Sequence, residues 1–140
     1  MKRLVLSMIF LVVALVGCDK MDCNGKLDGN WQLTEWMDIA SGDMIADNTS
    51  GIFYTVELEL IQFKSNATGY YPYLAYFRHQ GDSLFIGDVF LNQANTDSIV
   101  ALEDLARFGD DGSGKFRIMD LSDDRMVLTN RQYRLAFRKY

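Results

Sequence analysis

The chain has 140 residues, a mass of 16.0 kDa and a formal net charge of −5 at pH 7. Its 49% hydrophobic and 13% aromatic residues, with a single proline, suit one packed domain and exclude a disordered tail or a collagen-like repeat. One histidine and two cysteines are too few for a typical structural zinc site with Cys and His ligands, so we expect no metal and no other cofactor.

The first 17 residues have the layout of a secretory signal peptide. Met1-Lys2-Arg3 is a short positive start, and residues 4–16 form an apolar run that only Ser7 interrupts. As a helix, residues 4–17 would reach about 21 Å, which is short of the roughly 30 Å hydrocarbon core of a bilayer. We therefore expect a cleaved signal and no membrane-spanning anchor.

The apolar run ends in Leu15-Val16-Gly17-Cys18. These residues resemble the lipobox of bacterial lipoproteins. The resemblance implies cleavage before Cys18 and acyl chains on its thiol. Each methylene of these chains that is buried in a bilayer would add roughly 0.8 kcal/mol to the free energy of membrane binding. Residues 18–27 would then be a polar tether, and the protein an outer-membrane lipoprotein of the cell envelope, on the periplasmic or the surface face.

Loss of the signal peptide would also change the charge. Lys2 and Arg3 would leave, so that 12 basic residues would face 19 acidic ones, a net charge of −7. So acidic a chain argues against nucleic acid as the partner.

Beyond the tether, the apolar pattern mostly has a period of two. Val56, Leu58 and Leu60 alternate with glutamates, as in a strand with one buried face. Counting from Gly29 gives seven strands, or eight if the run 52–64 divides near Ile61, where a break in the alternation indicates a bulge. The other strands, each bounded by turn residues, are predicted at 70–79, 83–91, 116–121, 125–129 and 133–138.

One segment has helical spacing instead. We predict a short helix packed on the outside or the end of the sheet, on the spacing of Ile99, Leu102, Leu105, Ala106 and Phe108. Asp97 or Ser98 would cap its start and Gly109 would end it.

These elements predict an all-β domain over residues 28–140. Seven or eight short antiparallel strands with one short helix fit an up-and-down barrel or a β-sandwich, and sequential hairpins and small size favour the barrel. The candidates for its inner face are Trp31, Leu33, Val56, Leu58, Leu60, Tyr76, Leu84, Phe90, Phe116, Ile118, Tyr133, Leu135 and Phe137.

Two stretches carry a family resemblance. Gly29-Asn30-Trp31 resembles the Gly-x-Trp signature that opens the first strand of lipocalins and related calycin barrels, where the Trp closes one end. The ending, Met126-Val127-Leu128 with residues 133–140, is similar to the last hairpin of small lipocalin-like lipoproteins of Gram-negative bacteria, although the Thr-Asp-Tyr motif of kernel lipocalins is absent. The resemblance implies a calycin-type barrel with Arg134 or Arg138 packed over Trp31.

The sequence offers no catalytic constellation. His79 is the only imidazole, and no Gly-x-Ser-x-Gly elbow supplies a nucleophile, so we predict that the protein is not an enzyme. The run Asp110-Asp111-Gly112-Ser113-Gly114 lacks the alternating aspartates of a calcium loop, and we interpret it as a solvated turn.

The resemblance implies a binding protein. A small apolar or glycan-derived ligand would bind in the barrel interior or at its rim, with Trp31, Tyr73, Tyr76, Phe90 and Tyr133 as candidate ligand-binding residues. Because many inner-face candidates are large, a packed and dry interior is the alternative. The alternative function is an interaction protein, such as an inhibitor of lysozyme or of a protease, that acts through its loops.

Overall fold

The computed structural model describes residues 24–67, 71–92 and 98–140, so the predicted signal peptide and Cys18 lie outside the described residues. Within them are short 3-10 helices at Gly25–Leu27 and Leu102–Phe108. The ten strands are β1 (Gly29–Asp38), β2 (Met44–Asp47), β3 (Ile52–Glu57), β4 (Leu60–Ser65), β5 (Tyr73–Gln80), β6 (Ser83–Leu91), β7 (Ser98–Val100), β8 (Lys115–Leu121), β9 (Arg125–Thr129) and β10 (Tyr133–Lys139). No helix in this part of the chain is long and apolar enough to cross a membrane.

Eight of the strands close into an antiparallel barrel, in the order β1-β3-β4-β5-β6-β8-β9-β10 and back to β1. Strand β1 makes closure possible because it pairs with β10 from Trp31 to Asp38 along one edge. Its other edge pairs first with β3 and then with β2, and β6 is shared in the same way between β8 and β7. The prediction of a small antiparallel barrel with one short helix is confirmed, with β2 and β7 as additional strands.

The two-residue alternation builds the barrel wall. In β3, Ile52, Tyr54 and Val56 are buried inside, while Phe53 and Thr55 between them are only half-buried on the outer face. The same alternation buries Leu84 in β6, Phe116 in β8 and Phe137 in β10, as a strand with one buried face requires.

The division of the run 52–64 differs from the prediction. A two-residue turn at Leu58 and Glu59 joins β3 to β4, whereas a bulge was expected near Ile61. Leu58 has a φ of 54° and is exposed, and Leu60 lies on the outer face, so neither belongs to the interior. The apolar alternation runs straight across this turn, which carries no glycine, asparagine or proline to mark it.

Two aromatic residues expected inside the barrel lie outside it. Tyr76 is 51% exposed, because its neighbours Ala75 and Phe77 are the residues that face the core. Phe90 is turned outward because the register between β5 and β6 shifts at Gly87 and Asp88, so Leu84 and Val89 face inward together. One extra residue in a strand exchanges its faces, and the prediction lacked this bulge.

The predicted helix is shorter than expected, and two of its side chains enter the barrel core. Ser98–Val100 forms β7, with Ile99 exposed, and the helix is the 3-10 segment Leu102–Phe108, which we call the plug helix. Leu105 and Phe108 are buried in the barrel core, so the helix does not pack on the outside of the sheet. The prediction that Gly109 ends the helix is confirmed: its φ is 96°, and a Cβ there would lie 2.8 Å from the Leu135 methyls. Ser98 caps no helix, and Asp97 lies outside the described residues.

Candidate functional site

The interior of the barrel is filled by the protein's own side chains. Phe108 enters from the plug helix, and its ring centroid lies 5.8 Å from those of Phe63 and of Tyr73. The Tyr54 hydroxyl donates a hydrogen bond to the Phe108 carbonyl, and burial, with a smaller contribution from the charge of Asp110, raises the pKa of Tyr54 so that the phenol keeps its proton. An eight-stranded barrel is just wide enough to be filled in this way or to hold one small ligand, and among the described residues these side chains occupy the interior.

Trp31 closes the end of the barrel at which β1 begins. It is fully buried, and its indole N–H donates to the Leu27 carbonyl at 2.8 Å. The cation over its ring is Lys139, whose Nζ lies 4.9 Å from the ring centroid, so the expectation of Arg134 or Arg138 in that place is wrong. Those two arginines turn outward to Glu35 and to Gln32.

Gly29 lies two residues before Trp31 and has a backbone conformation that favours glycine. Gly29 has a φ of 137°, and a Cβ there would lie 2.5 Å from Cε of Lys139. The positive φ is what favours glycine here, because the end of the Lys139 side chain that a Cβ would meet is flexible and can shift.

The other predicted ligand-binding residues are not gathered into one site. Tyr73 is buried against the plug helix, while Tyr76 and Phe90 contact each other on the outer wall with a centroid distance of 6.0 Å. Tyr133 packs edge-on against Trp36 at 5.3 Å. A role of these residues or of Trp31 in ligand binding stays a prediction, and the structure brings together only the pair Tyr76 and Phe90.

A groove on the outside of the barrel unites polar and charged side chains. It has a volume of about 780 Å³ and opens to solvent between the outer faces of β8 and the ends of β6 and β9. We call it the outer groove, and its lining residues are Asp82, Ser83, Asp111, Ser113, Lys115, Phe116, Arg117, Thr129, Asn130 and Arg131.

The run 110–114 forms one wall of the outer groove. We expected a solvated turn here, but its first residue, Asp110, is buried. Asp110 is only 3% exposed, and its carboxylate accepts the backbone N–H groups of Gly112 at 2.9 Å and Gly114 at 3.1 Å. Burial raises the pKa of Asp110 above its ordinary value despite these hydrogen bonds. The carboxylate therefore holds a tight turn, and no group of three or more His, Cys, Asp or Glu in the described ranges could bind a metal.

Asp111 fixes the next part of the wall. Its carboxylate accepts the backbone N–H groups of Ser113 at 2.9 Å and of Arg131 at 3.0 Å. Burial alone would raise the pKa of Asp111, but these hydrogen bonds and the charge of Arg131 outweigh it and hold the pKa below its ordinary value. The hydrogen bond from the Arg131 N–H to Asp111 joins the 110–114 turn to the β9–β10 turn. The groove is therefore formed before any ligand binds.

Sequence reasoning missed the outer groove. The alternation in β8 does place Lys115 and Arg117 on one outer face, and that signal was available. The sequence did not predict that Arg131 lines the groove, because its position depends on the pairing of β8 with β9 and on the contact with Asp111.

A closed eight-stranded antiparallel barrel with a tryptophan at the base of its first strand defines the class of calycin-type barrels. The family model described as a lipocalin-like domain matches residues 12–140, and the chain therefore belongs to this family. Domains of this family are generally non-catalytic and bind ligands. No curated protein matches the chain.

Two solved structures share the fold. A lipocalin-like protein from Bacteroides uniformis is 20% identical with a TM-score of 0.59, over 83% of this chain and 100% of that one. A protein from Bacteroides eggerthii described as uncharacterized is 24% identical with a TM-score of 0.52, over 81% of this chain and 98% of that one. At these identities the likeness concerns the fold alone.

Proposed function

We propose that this protein is a non-catalytic binding protein, anchored in the outer membrane through acyl chains on Cys18, that binds a glycan-derived ligand in the outer groove. The observation that carries the proposal is the contrast between a barrel filled by Phe108 and its neighbours and a preformed polar groove outside it. Nine of the ten residues that line the groove carry a hydroxyl, amide or charged group, and their apolar atoms also line it, which suits the hydroxyl groups and ring faces of a sugar.

The hydrogen-bonding groups of the groove suit a sugar. The volume of about 780 Å³ lies within the range of about 300–1,000 Å³ of small-molecule sites, and the groove offers donors from the Ser83 hydroxyl and from its lysine and two arginines. The hydroxyls of Ser113 and Thr129 and the Asn130 amide already make hydrogen bonds within the protein, so they fix the shape of the groove. Their positions are set by strand pairing and by the two aspartate turns, which lowers the entropy that binding costs.

A blocking variant tests the location. Ser83→Trp places an indole in the groove, and Gln62→Trp places the same side chain on the outer face of β4 as a control. Glycan binding, measured by calorimetry on the protein purified from its cells, should be lost in the first variant and kept in the second. Equal binding by both variants would place the ligand elsewhere.

The anchor is tested separately. A Cys18→Ala variant should leave the membrane fraction, because a polar tether without acyl chains has no means of staying in the bilayer. A Cys23→Ala variant is the matched control and should stay in the membrane fraction. Retention of Cys18→Ala in the membrane fraction would contradict the anchor.

A second candidate function is inhibition of an envelope enzyme such as a lysozyme or a protease. An exposed apolar row favours it: Leu74, Phe90 and Ile99 are neighbours across β5, β6 and β7, and Ile99 is 75% exposed. Inhibition of the enzyme by the purified protein should then disappear in Ile99→Lys and persist in Ile45→Lys, which alters an exposed isoleucine on β2. Absence of inhibition by the unaltered protein would remove this candidate.

A further inference from the structure

We propose that the ligand of the outer groove is an acidic saccharide, whose carboxylate or phosphate groups are bound by Lys115, Arg117 and Arg131. The inference rests on the proposed function, because it names the ligand class of the same groove. Although the chain has a net charge of −5, it presents three cations along one recess.

Strand pairing brings the three cations to one groove. Lys115 and Arg117 stand two residues apart on the outer face of β8, which separates them by about 6.6 Å along the strand. Arg117 pairs with Thr129 of β9, and Arg131 follows two residues later. Two of the cations thus come from one strand and the third from the adjacent turn.

The acidic residues of the groove are already engaged. The Asp111 side chain is 3% exposed and accepts hydrogen bonds from Ser113 and from the Arg131 backbone. Asp82 accepts one from Arg117. Nε makes the ionic contact in both pairs, at 3.1 Å for Arg117 and 3.5 Å for Arg131, which leaves the terminal amino groups to donate to an anion.

Lys115 has no acidic partner in the described part of the chain. Its ammonium nitrogen lies 5.5 Å from the ring centroid of Phe85, and the guanidinium carbon of Arg78 lies 4.8 Å from the same centroid. The ring holds two like charges near each other without neutralising them. A ligand carboxylate or phosphate would supply the missing counter-charge.

Two matched trisaccharides test the charge of the ligand. Trigalacturonic acid carries carboxylates that maltotriose lacks, and calorimetry on the protein purified from its cells measures both affinities. We expect trigalacturonic acid to bind at least about tenfold more tightly, with an advantage that shrinks as salt is added.

Charge variants test the residues. Lys115→Gln and Arg117→Gln should each weaken trigalacturonic acid binding by roughly tenfold. Arg125→Gln removes the same charge from an exposed pair with Asp120 outside the groove and should leave binding unchanged. Asp82→Asn releases Arg117 and removes a negative charge, so it should strengthen binding. Melting temperatures of all four variants show that each remains folded.

Four further outcomes separate the explanations. Equal binding of both trisaccharides, insensitive to Lys115→Gln and Arg117→Gln, would overturn the acidic ligand while leaving a neutral glycan site. Binding of neither would overturn the proposed function as well. Glucose 1-phosphate displacing trigalacturonic acid would favour a phosphate source, whereas inorganic phosphate binding as tightly as either sugar would overturn the saccharide.

Discussion

The barrel interior and the outer groove are the two faces of the same strand, β8. Phe116 enters the interior, where it is fully buried, while Lys115 and Arg117 on either side of it face the groove. Inside, aromatic and aliphatic side chains fill the space that a ligand would need. Outside, aspartate turns and strand register hold polar groups apart around an open recess. In this barrel, the inner face of the wall therefore stabilises the fold, and the outer face offers the groups that would bind a ligand.

The largest expected effect comes from emptying the interior. Phe108→Ala removes the ring that the plug helix places against Phe63 and Tyr73, and such a truncation costs about 3–5 kcal/mol of unfolding free energy. Arg117→Gln in the groove should change it by less than about 0.5 kcal/mol, since the residue is exposed. Urea unfolding of both variants measures the contrast, and similar costs would contradict the division between the two faces.

The two tryptophans compare a satisfied and an unsatisfied interior donor. The indole N–H of Trp31 bonds to the Leu27 carbonyl, whereas that of Trp36 is buried without a partner among the described residues. Trp31→Phe leaves the buried Leu27 carbonyl without its hydrogen-bond donor, so it should lower the unfolding free energy by about 1–3 kcal/mol more than Trp36→Phe does. Urea unfolding of the two variants measures the difference, and an equal or larger cost for Trp36→Phe would mean that the Trp36 donor is bonded in solution.

The smallest change in unfolding free energy is expected from Asp110, in the 110–114 turn. Because the pKa of Asp110 is raised when folded, the folded state keeps a proton that the unfolded state releases above its ordinary value of 3.8. The contribution of Asp110 to stability therefore falls as pH rises from 3.8 through the folded pKa. Asp110→Asn lacks this loss, and its stability relative to the unaltered protein should rise across that window.

Asp111→Asn is the control of opposite sign. The pKa of Asp111 is lowered on folding, so its contribution is present above 3.8 and is lost as pH falls through the folded pKa. The stability of Asp111→Asn relative to the unaltered protein should therefore fall as pH rises to 3.8. Urea unfolding at a series of pH values measures both slopes, and parallel slopes would show that the two carboxylates share one environment.

The fold was largely predictable because its physical cause is local. Alternation in β8 and β10 marks a half-buried strand whatever its neighbours, and Gly109 marks the end of the plug helix. The position of Leu58 was predicted wrongly because an apolar residue occupies a turn with a positive φ. The position of Phe90 was predicted wrongly because one extra residue near Gly87 exchanges the faces of β6.

The candidate site was less predictable because its parts meet only through pairing. Lys139 reaches Trp31 across more than a hundred residues of sequence, and no spacing distinguishes it from Arg138 or Arg134 before the register of β1 and β10 is known. Arg131 joins Arg117 in the same way, through β9 and the carboxylate of Asp111. The amphipathic pattern of the plug helix predicts that one of its faces packs on the outside or the end of the sheet, but it does not decide between these two positions.

The most direct test of the division between the two faces is an NMR titration with trigalacturonic acid that follows backbone amides and methyl groups together. The account predicts shifts at the amides of Lys115, Arg117 and Arg131 in the outer groove. It predicts unchanged methyl signals for Leu105 and Leu135, which lie in the packed interior. Shifts of these interior methyls with unmoved groove amides would contradict it, because the ligand would then be entering the barrel.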